Sequence, residues 1–241
     1  ALRGVVAGVP ARWVQLVGVG RSHPPRRSGA VAATSAWAAA TLPAAAPVYC
    51  SVSLKLTVAQ VCWVDGSGSR QTTRLCARMS SGRYVVQRGP FAGHVGRNGV
   101  AAPGAKREGD GKTPYGAYPM RGGFGVGANP GLRTSWLVTT WRDVWVDDSR
   151  SSLYNTHQRL PADRRWTSAE RMRLSPAYNY AQVIGYNERR VPRRGPAIFL
   201  HVDQCRGTAG GVYRPTRALW DVLLGANSGP RCWPPLGGRA A

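Results

Sequence analysis

Acidic side chains are scarce in this chain: 11 Asp and Glu stand against 33 Lys and Arg, a formal charge of +22 over 241 residues. Lysine is scarce too, with Lys55, Lys106 and Lys112 its whole complement, so nearly all the positive charge is Arg. No basic run exceeds two residues (Arg26-Arg27 and Arg193-Arg194 are examples), which excludes a basic tail. No nucleic-acid recognition motif is present either, and an Arg excess of this diffuse kind is weak evidence for such a partner. Such a surface is still drawn to polyanions, a carboxylate- and phosphate-rich wall among them. Five cysteines (Cys50, Cys62, Cys76, Cys205, Cys232) include no C-x-x-C pair, which argues against a zinc site. Their odd number leaves one thiol over, and spacing alone does not assign the pairs. Residues 1–20 are apolar but interrupted by Arg3, Pro10 and Arg12, so no uncharged run there spans a bilayer. Gly111-Lys112-Thr113 is not a phosphate-binding P-loop, because Lys106 stands where the motif needs glycine and Pro114 stops any following helix.

What remains suits a packed domain with an extension: 43% of residues are hydrophobic and nine are tryptophan. Arg21, Arg26 and Arg27 precede the uncharged, Ala-rich Gly29 to Leu42 and then Pro43-Ala44-Ala45-Ala46-Pro47. A basic start, short apolar middle and small-residue end read as a secretory signal, the alternative being a low-complexity linker. Residues 1–47 are therefore set aside as an N-terminal extension, with no stable membrane span expected once a signal is removed. Residues 48–71 read as a linker or N-terminal strand, 72–224 as the main domain, and 225–241 as a Pro/Gly-rich tail.

The pattern from Val48 to Val100 is β, with partial alternation at Val52, Leu54, Leu56 and Val58. Thr72–Met79 and Arg83–Arg88 flank Ser80-Ser81-Gly82, a hairpin turn signal. Gly109 to Gly116 holds four glycines and a proline, which forbids a helix and predicts a shaped loop. Trp145-Val146-Asp147 reads as a strand end; adjacent Asp147 and Asp148 point to different faces of an extended chain and predict a solvated turn or a salt bridge to Arg. Ser168-Ala169-Glu170 reads as a helix start, Tyr178–Tyr186 as a strand, and Pro215–Leu224 as an amphipathic helix closed by Gly225. Between the last two lies the stretch the chain is organised around. Ala197–Leu200 reads as a buried strand delivering His201, followed by a polar loop and Thr208-Ala209-Gly210-Gly211. A histidine at a strand end, opposite a small-residue turn, is a common layout for acyl transfer, though it also suits a structural histidine beside a glycine turn.

Ile198-Phe199-Leu200-His201 with Thr208-Ala209-Gly210 resembles the active-site segment of the L,D-transpeptidase catalytic domain (YkuD-like) family of bacterial cell-wall enzymes. Gly109-Asp110-Gly111-Lys112-Thr113-Pro114-Tyr115-Gly116 is similar to a loop upstream in the same family, and the segments follow in the family's order. The resemblance implies a mainly β fold: a β-sandwich with a mixed sheet and one or two helices. It implies acyl transfer on peptidoglycan stem peptides at the cell envelope or outside the cell, with no cofactor, no metal and no nucleic-acid partner. It places the catalytic histidine at His201, the motif's Ser/Thr and Gly at Thr208 and Gly210, and the nucleophile at 211, where the family has cysteine and this chain has glycine. Tyr154 and Asn155 are candidates to line the peptide groove, with a structural Tyr and a turn Asn an equal reading. Three accounts of Gly211 stay open: an inactive member that still binds peptidoglycan, a sequence error hiding a cysteine, or Cys205 acting in its stead. All require the His201 imidazole to face residue 211 across a crevice.

Overall fold

The computed structural model describes residues 15–16, 46–52, 56–132, 134–202 and 210–214. These contain thirteen strands: β1 (Gln15–Leu16), β2 (Gln60–Ser67), β3 (Arg70–Arg78), β4 (Tyr84–His94), β5 (Gly116–Ala117), β6 (Met120–Gly125), β7 (Trp136–Val138), β8 (Asp143–Val146), β9 (His157–Arg159), β10 (Ala169–Arg171), β11 (Tyr180–Ile184), β12 (Phe199–Val202) and β13 (Val212–Arg214). No helix occurs among the described residues, and the Pro215–Leu224 stretch lies outside them. The mainly β expectation holds.

Ten strands form one sheet in the order β5-β1-β2-β3-β4-β13-β12-β11-β6-β7, and β10-β8-β9 form a second. The large sheet is mixed: β1 with β5, β6 with β7, and β12 with β13 pair in parallel, the rest antiparallel. Connectivity forces this sheet to roll. β5 and β6 lie eight places apart in the strand order, about 38 Å across a flat sheet at the usual strand spacing. The three-residue step from Ala117 to Met120 reaches at most about 11 Å. Only a sheet curled back on itself satisfies both.

Rolling buries both faces of the central strands. On β2, Val61 and Trp63 pack with Cys50, Cys76 and Tyr84, while Cys62 and Val64 join Val95, Ile184, Ile198, Leu200 and Val202. All four residues of β12 are buried: Leu200 and Val202 face that second cluster, while Phe199 belongs to an aromatic cluster with Phe124 and Tyr178. Phe199 meets Phe124, Tyr178 and Trp145 edge-on at centroid distances of 5.0, 5.7 and 5.2 Å, geometry favoured by the ring quadrupoles. Trp145 lies on β8, so this contact docks the small sheet onto the large one.

The hairpin expected around Ser80–Gly82 joins β3 to β4, with Met79 N–H donating to Arg83 O at 2.8 Å and Gly82 at φ +82°. Two local readings are overturned. Of the alternation at Val52–Val58, the described residues 52 and 56–58 form no strand; β2 begins at Gln60, and residues 48–50 lie along β4. There Cys50 N–H donates to Tyr84 O at 2.9 Å, and Cys50 is disulfide-bonded to Cys76 at a Cα–Cα distance of 6.4 Å. Ser168-Ala169-Glu170 does not start a helix. Residues 169–171 pair with β8 (Ala169 with Val146, Glu170 with Trp145), and that ladder takes the backbone groups a helix would have needed.

Candidate functional site

The long loop before β5 is organised by one carboxylate. Asp110 accepts hydrogen bonds from Lys106 Nζ (2.6 Å), Arg107 N (2.8 Å) and Lys112 N (2.9 Å). Burial alone would raise its pKa, but these donors outweigh it and hold the carboxyl below its ordinary value. Gly111, at φ +65°, supplies the left-handed turn that brings Thr113 round. Thr113 is fully buried, and its hydroxyl does double work. It accepts the Gly96 N–H at 2.9 Å and lies within donating distance of Gly210 O (2.9 Å) and Gly211 O (3.1 Å). The two sequence segments, almost a hundred residues apart, are thus joined by one side chain. Composition and spacing pointed to this loop but not to Thr113 as the link.

β12 presents His201 beside that anchored glycine pair. A Cβ added at Gly211 would sit 3.0 Å from His201 Nε2 and 2.8 Å from Phe199 O. The imidazole therefore faces residue 211, and the backbone there approaches more closely than a side chain tolerates without movement of β12. His201, Gly210 and Gly211 together line a cavity of about 450 Å³, with Lys106, Glu108, Glu170 and Tyr178 also on its wall. The ring itself is buried, packed edge-on against Tyr178 at 5.0 Å. Burial pushes its pKa down to about 3, opposed only weakly by the nearby carbonyls of Ala177 and Val202. An imidazole held neutral in this way is a weak proton acceptor and supplies no standing positive charge. Tyr178 in turn donates its hydroxyl to Glu170, whose pKa is raised by burial.

The remaining residues singled out from the sequence have other places. Tyr154 is buried, donating to Glu108 Oε2 at 2.9 Å and accepting Gly195 N–H at 3.1 Å; burial first, then the Glu108 charge, pushes its phenol well above the ordinary value. Asn155, at φ +57°, accepts from Trp145 Nε1 (2.8 Å) and Ala197 N (3.1 Å) and donates to Tyr186 O (3.1 Å) and Asn187 O (3.0 Å). Its side-chain amide is fully spent on the scaffold. Both residues hold the 186–197 loop against β8 and the Glu108 segment, the structural one of the two readings, and Asn155 also lines a separate cavity of about 460 Å³ with Trp136 and His157. Asp147 accepts from Ser168 Oγ, whereas Asp148 accepts from the Thr167 hydroxyl and N–H and from Arg150 N–H, and lies 3.5 Å from Arg150 Nε. Those donors, the Thr167 hydroxyl foremost, keep Asp148 well below the usual carboxylate range. The two carboxylates do point apart, one of them to an Arg.

Thr208 and Cys205 lie outside the described residues, as do the signal-like segment up to residue 45 and the tail. Among the described residues no group of three or more His, Cys, Asp or Glu is placed to hold a metal, and no helix is long and apolar enough to cross a membrane. Comparison of the chain with protein-family models, with curated proteins and with solved structures found no match.

Proposed function

We propose that this chain is an L,D-transpeptidase-like protein of the bacterial cell wall whose β-sandwich engages peptidoglycan stem peptides in the His201 cavity. One observation carries the reading: the residue at the family's nucleophile position stands directly against the imidazole at the family's histidine position, 3.0 Å from Nε2 to a Cβ at 211. Motif order along the chain and the Thr113 link between the two segments add to it.

In the family reaction a cysteine at this position attacks the carbonyl between an L- and a D-centre, forms a thioester and expels D-Ala; the amine of a second stem then takes the acyl group. An imidazole whose pKa is held down to about 3 is a weak base for that scheme, where the proton acceptor works best with a pKa near the operating pH. Glycine offers no nucleophile, and loss of the nucleophile from a working site costs on the order of 10⁶ in turnover. The close approach of Phe199 O leaves no ready room for one at 211. The cavity is accordingly read as binding stem peptides without transferring them.

The test is incubation of the purified chain with disaccharide-tetrapeptides, alongside binding to isolated sacculi across a salt series. The expected result is no D-Ala release, with sacculus binding that survives salt and is competed by the free tetrapeptide. Binding that disappears with salt, ignores the tetrapeptide and is matched by duplex DNA reduces the interaction to the +22 charge and removes the proposal. D-Ala release by the parent, abolished by Cys205→Ala, restores an active transferase with a displaced nucleophile.

A further inference from the structure

A second concavity, of about 600 Å³, opens where the β3–β4 hairpin meets the 48–52 segment. Tyr49, Ser51, Thr57, Arg78, Arg83 and Tyr84 contribute its polar wall, and no Asp or Glu is among the described residues that line it. The site is rigid by covalent structure: the Cys50–Cys76 disulfide ties segment 48–52 to β3. Backbone bonds from Cys50 N to Tyr84 O (2.9 Å) and Val86 N to Val48 O (2.8 Å) tie it to β4.

Within this frame the Arg83 guanidinium lies 3.5 Å from the centroid of the Tyr49 ring. Stacking on the ring restrains the plane of the fork, so less side-chain freedom remains to be lost on binding. Arg78 stands opposite Tyr84 in the β3–β4 register and acts on the Tyr84 phenol electrostatically. Among the described residues neither arginine is ion-paired, in contrast to Arg121, Arg150 and Arg159, which each meet a carboxylate. Two guanidinium forks, one pre-oriented, in a concavity without an opposing carboxylate form a receptor for an oxyanion.

We propose that this hairpin pocket binds a phosphate group, free or as a phosphate ester of a small polyol. Two planar forks together supply more donors than one carboxylate can accept, whereas a phosphate dianion offers oxygens to both. The pocket volume leaves room for the alcohol part of an ester against Tyr49, Ser51 and Thr57. The proposal is independent of the reading of the His201 cavity.

Isothermal titration of the whole chain with inorganic phosphate, glycerol phosphate and succinate, all at physiological ionic strength, tests it. The expected outcome is saturable one-site binding of phosphate and its ester, with succinate weaker. Arg78→Ala and Arg83→Ala each weaken phosphate by about tenfold or more, as loss of a charge-assisted hydrogen bond dictates. Arg83→Lys, which keeps the charge but loses the stacked fork, weakens it nearly as much. Arg189→Ala, an exposed arginine elsewhere on the surface, leaves it unchanged. All three positions are exposed, so the four variants fold. Equal losses in Arg189→Ala and Arg83→Ala reduce the effect to diffuse charge, and unimpaired binding in Arg83→Lys removes the fork. Either result overturns the proposal, as does succinate binding as tightly as phosphate or phosphate not binding at all.

Discussion

Replacing Thr113 by Val keeps the shape of the side chain and removes one oxygen, which makes it a clean probe of how the loop at 106–113 is fastened to the Gly210–Gly211 turn. The hydroxyl is buried, accepts Gly96 N–H at 2.9 Å, and faces the carbonyls of Gly210 and Gly211 at 2.9 and 3.1 Å. Without it, Gly96 N–H loses its acceptor inside the protein, a cost of about 2 kcal/mol, and the lost donation to the carbonyls adds about 1 kcal/mol. Water cannot easily repair the gap, since a Cβ at Gly96 would already touch Lys112 Cα and Thr113 N at 2.7 Å. The variant is therefore expected to lose about 3 kcal/mol, a fall in Tm of about 6 to 12 °C for a domain of this size. Thr113→Ser retains the oxygen and sheds only a methyl, at about 1 kcal/mol. Urea unfolding of the three proteins measures the difference, and amide exchange at Gly96 reports the site directly, accelerating in Val and not in Ser. Equal stability of the Val and Ser variants, or unchanged Gly96 exchange, would refute the claim that this hydroxyl joins the two segments.

Two further outcomes follow from the same geometry. His201 has a folded pKa near 3 against an ordinary 6.5, so between those values the unfolded chain holds a proton that the native chain does not. Stability is then complete above pH 6.5 and falls as the pH drops toward 3, by as much as about 1.4 kcal/mol per pH unit. His201→Gln flattens that slope in urea unfolding at stepped pH, and the assigned His201 ring signal shows no titration midpoint between pH 5 and 8; a His201 midpoint near 6.5 contradicts the burial argument. Asn155→Ala deletes four internal hydrogen bonds and is expected to cost about 4 kcal/mol by chemical denaturation, because each is worth about 1 kcal/mol. A loss under about 1 kcal/mol would return Asn155 to the role of an exposed groove residue.

Much of the architecture was legible one segment at a time. The hairpin at residues 79–83, the strand end at Val146 and the buried strand through Leu200 were readable because apolar runs and turn residues act within a few positions of each other. Local signals failed where a distant partner outbid them. The Ser-Ala-Glu start at 168 is a fair helix cap in isolation, yet β8 offers that backbone a ladder. Val52–Val58 alternates, yet the disulfide and the Tyr84 edge hold the chain before it as a flanking segment. Sequence left Tyr154 and Asn155 open between a groove and a structural role because their partners, Glu108, Trp145, Gly195 and Ala197, come from three separate stretches.

Sequence alone determined that this is a β-rich chain, that Asp110 and its glycines form a shaped loop, and that a histidine on a buried strand precedes a glycine pair. Tertiary structure decided the rest: that Cys50 meets Cys76, that Thr113 pins the turn at 210–211, that the imidazole is neutral and pressed against a glycine, and that Arg78 and Arg83 line a concavity with no Asp or Glu among the described residues of its wall. The reason is the physics of contact. Strand and turn propensity are properties of neighbours in the chain, whereas burial, charge and hydrogen-bond satisfaction depend on residues brought together by a sheet that must roll to connect β5 with β6.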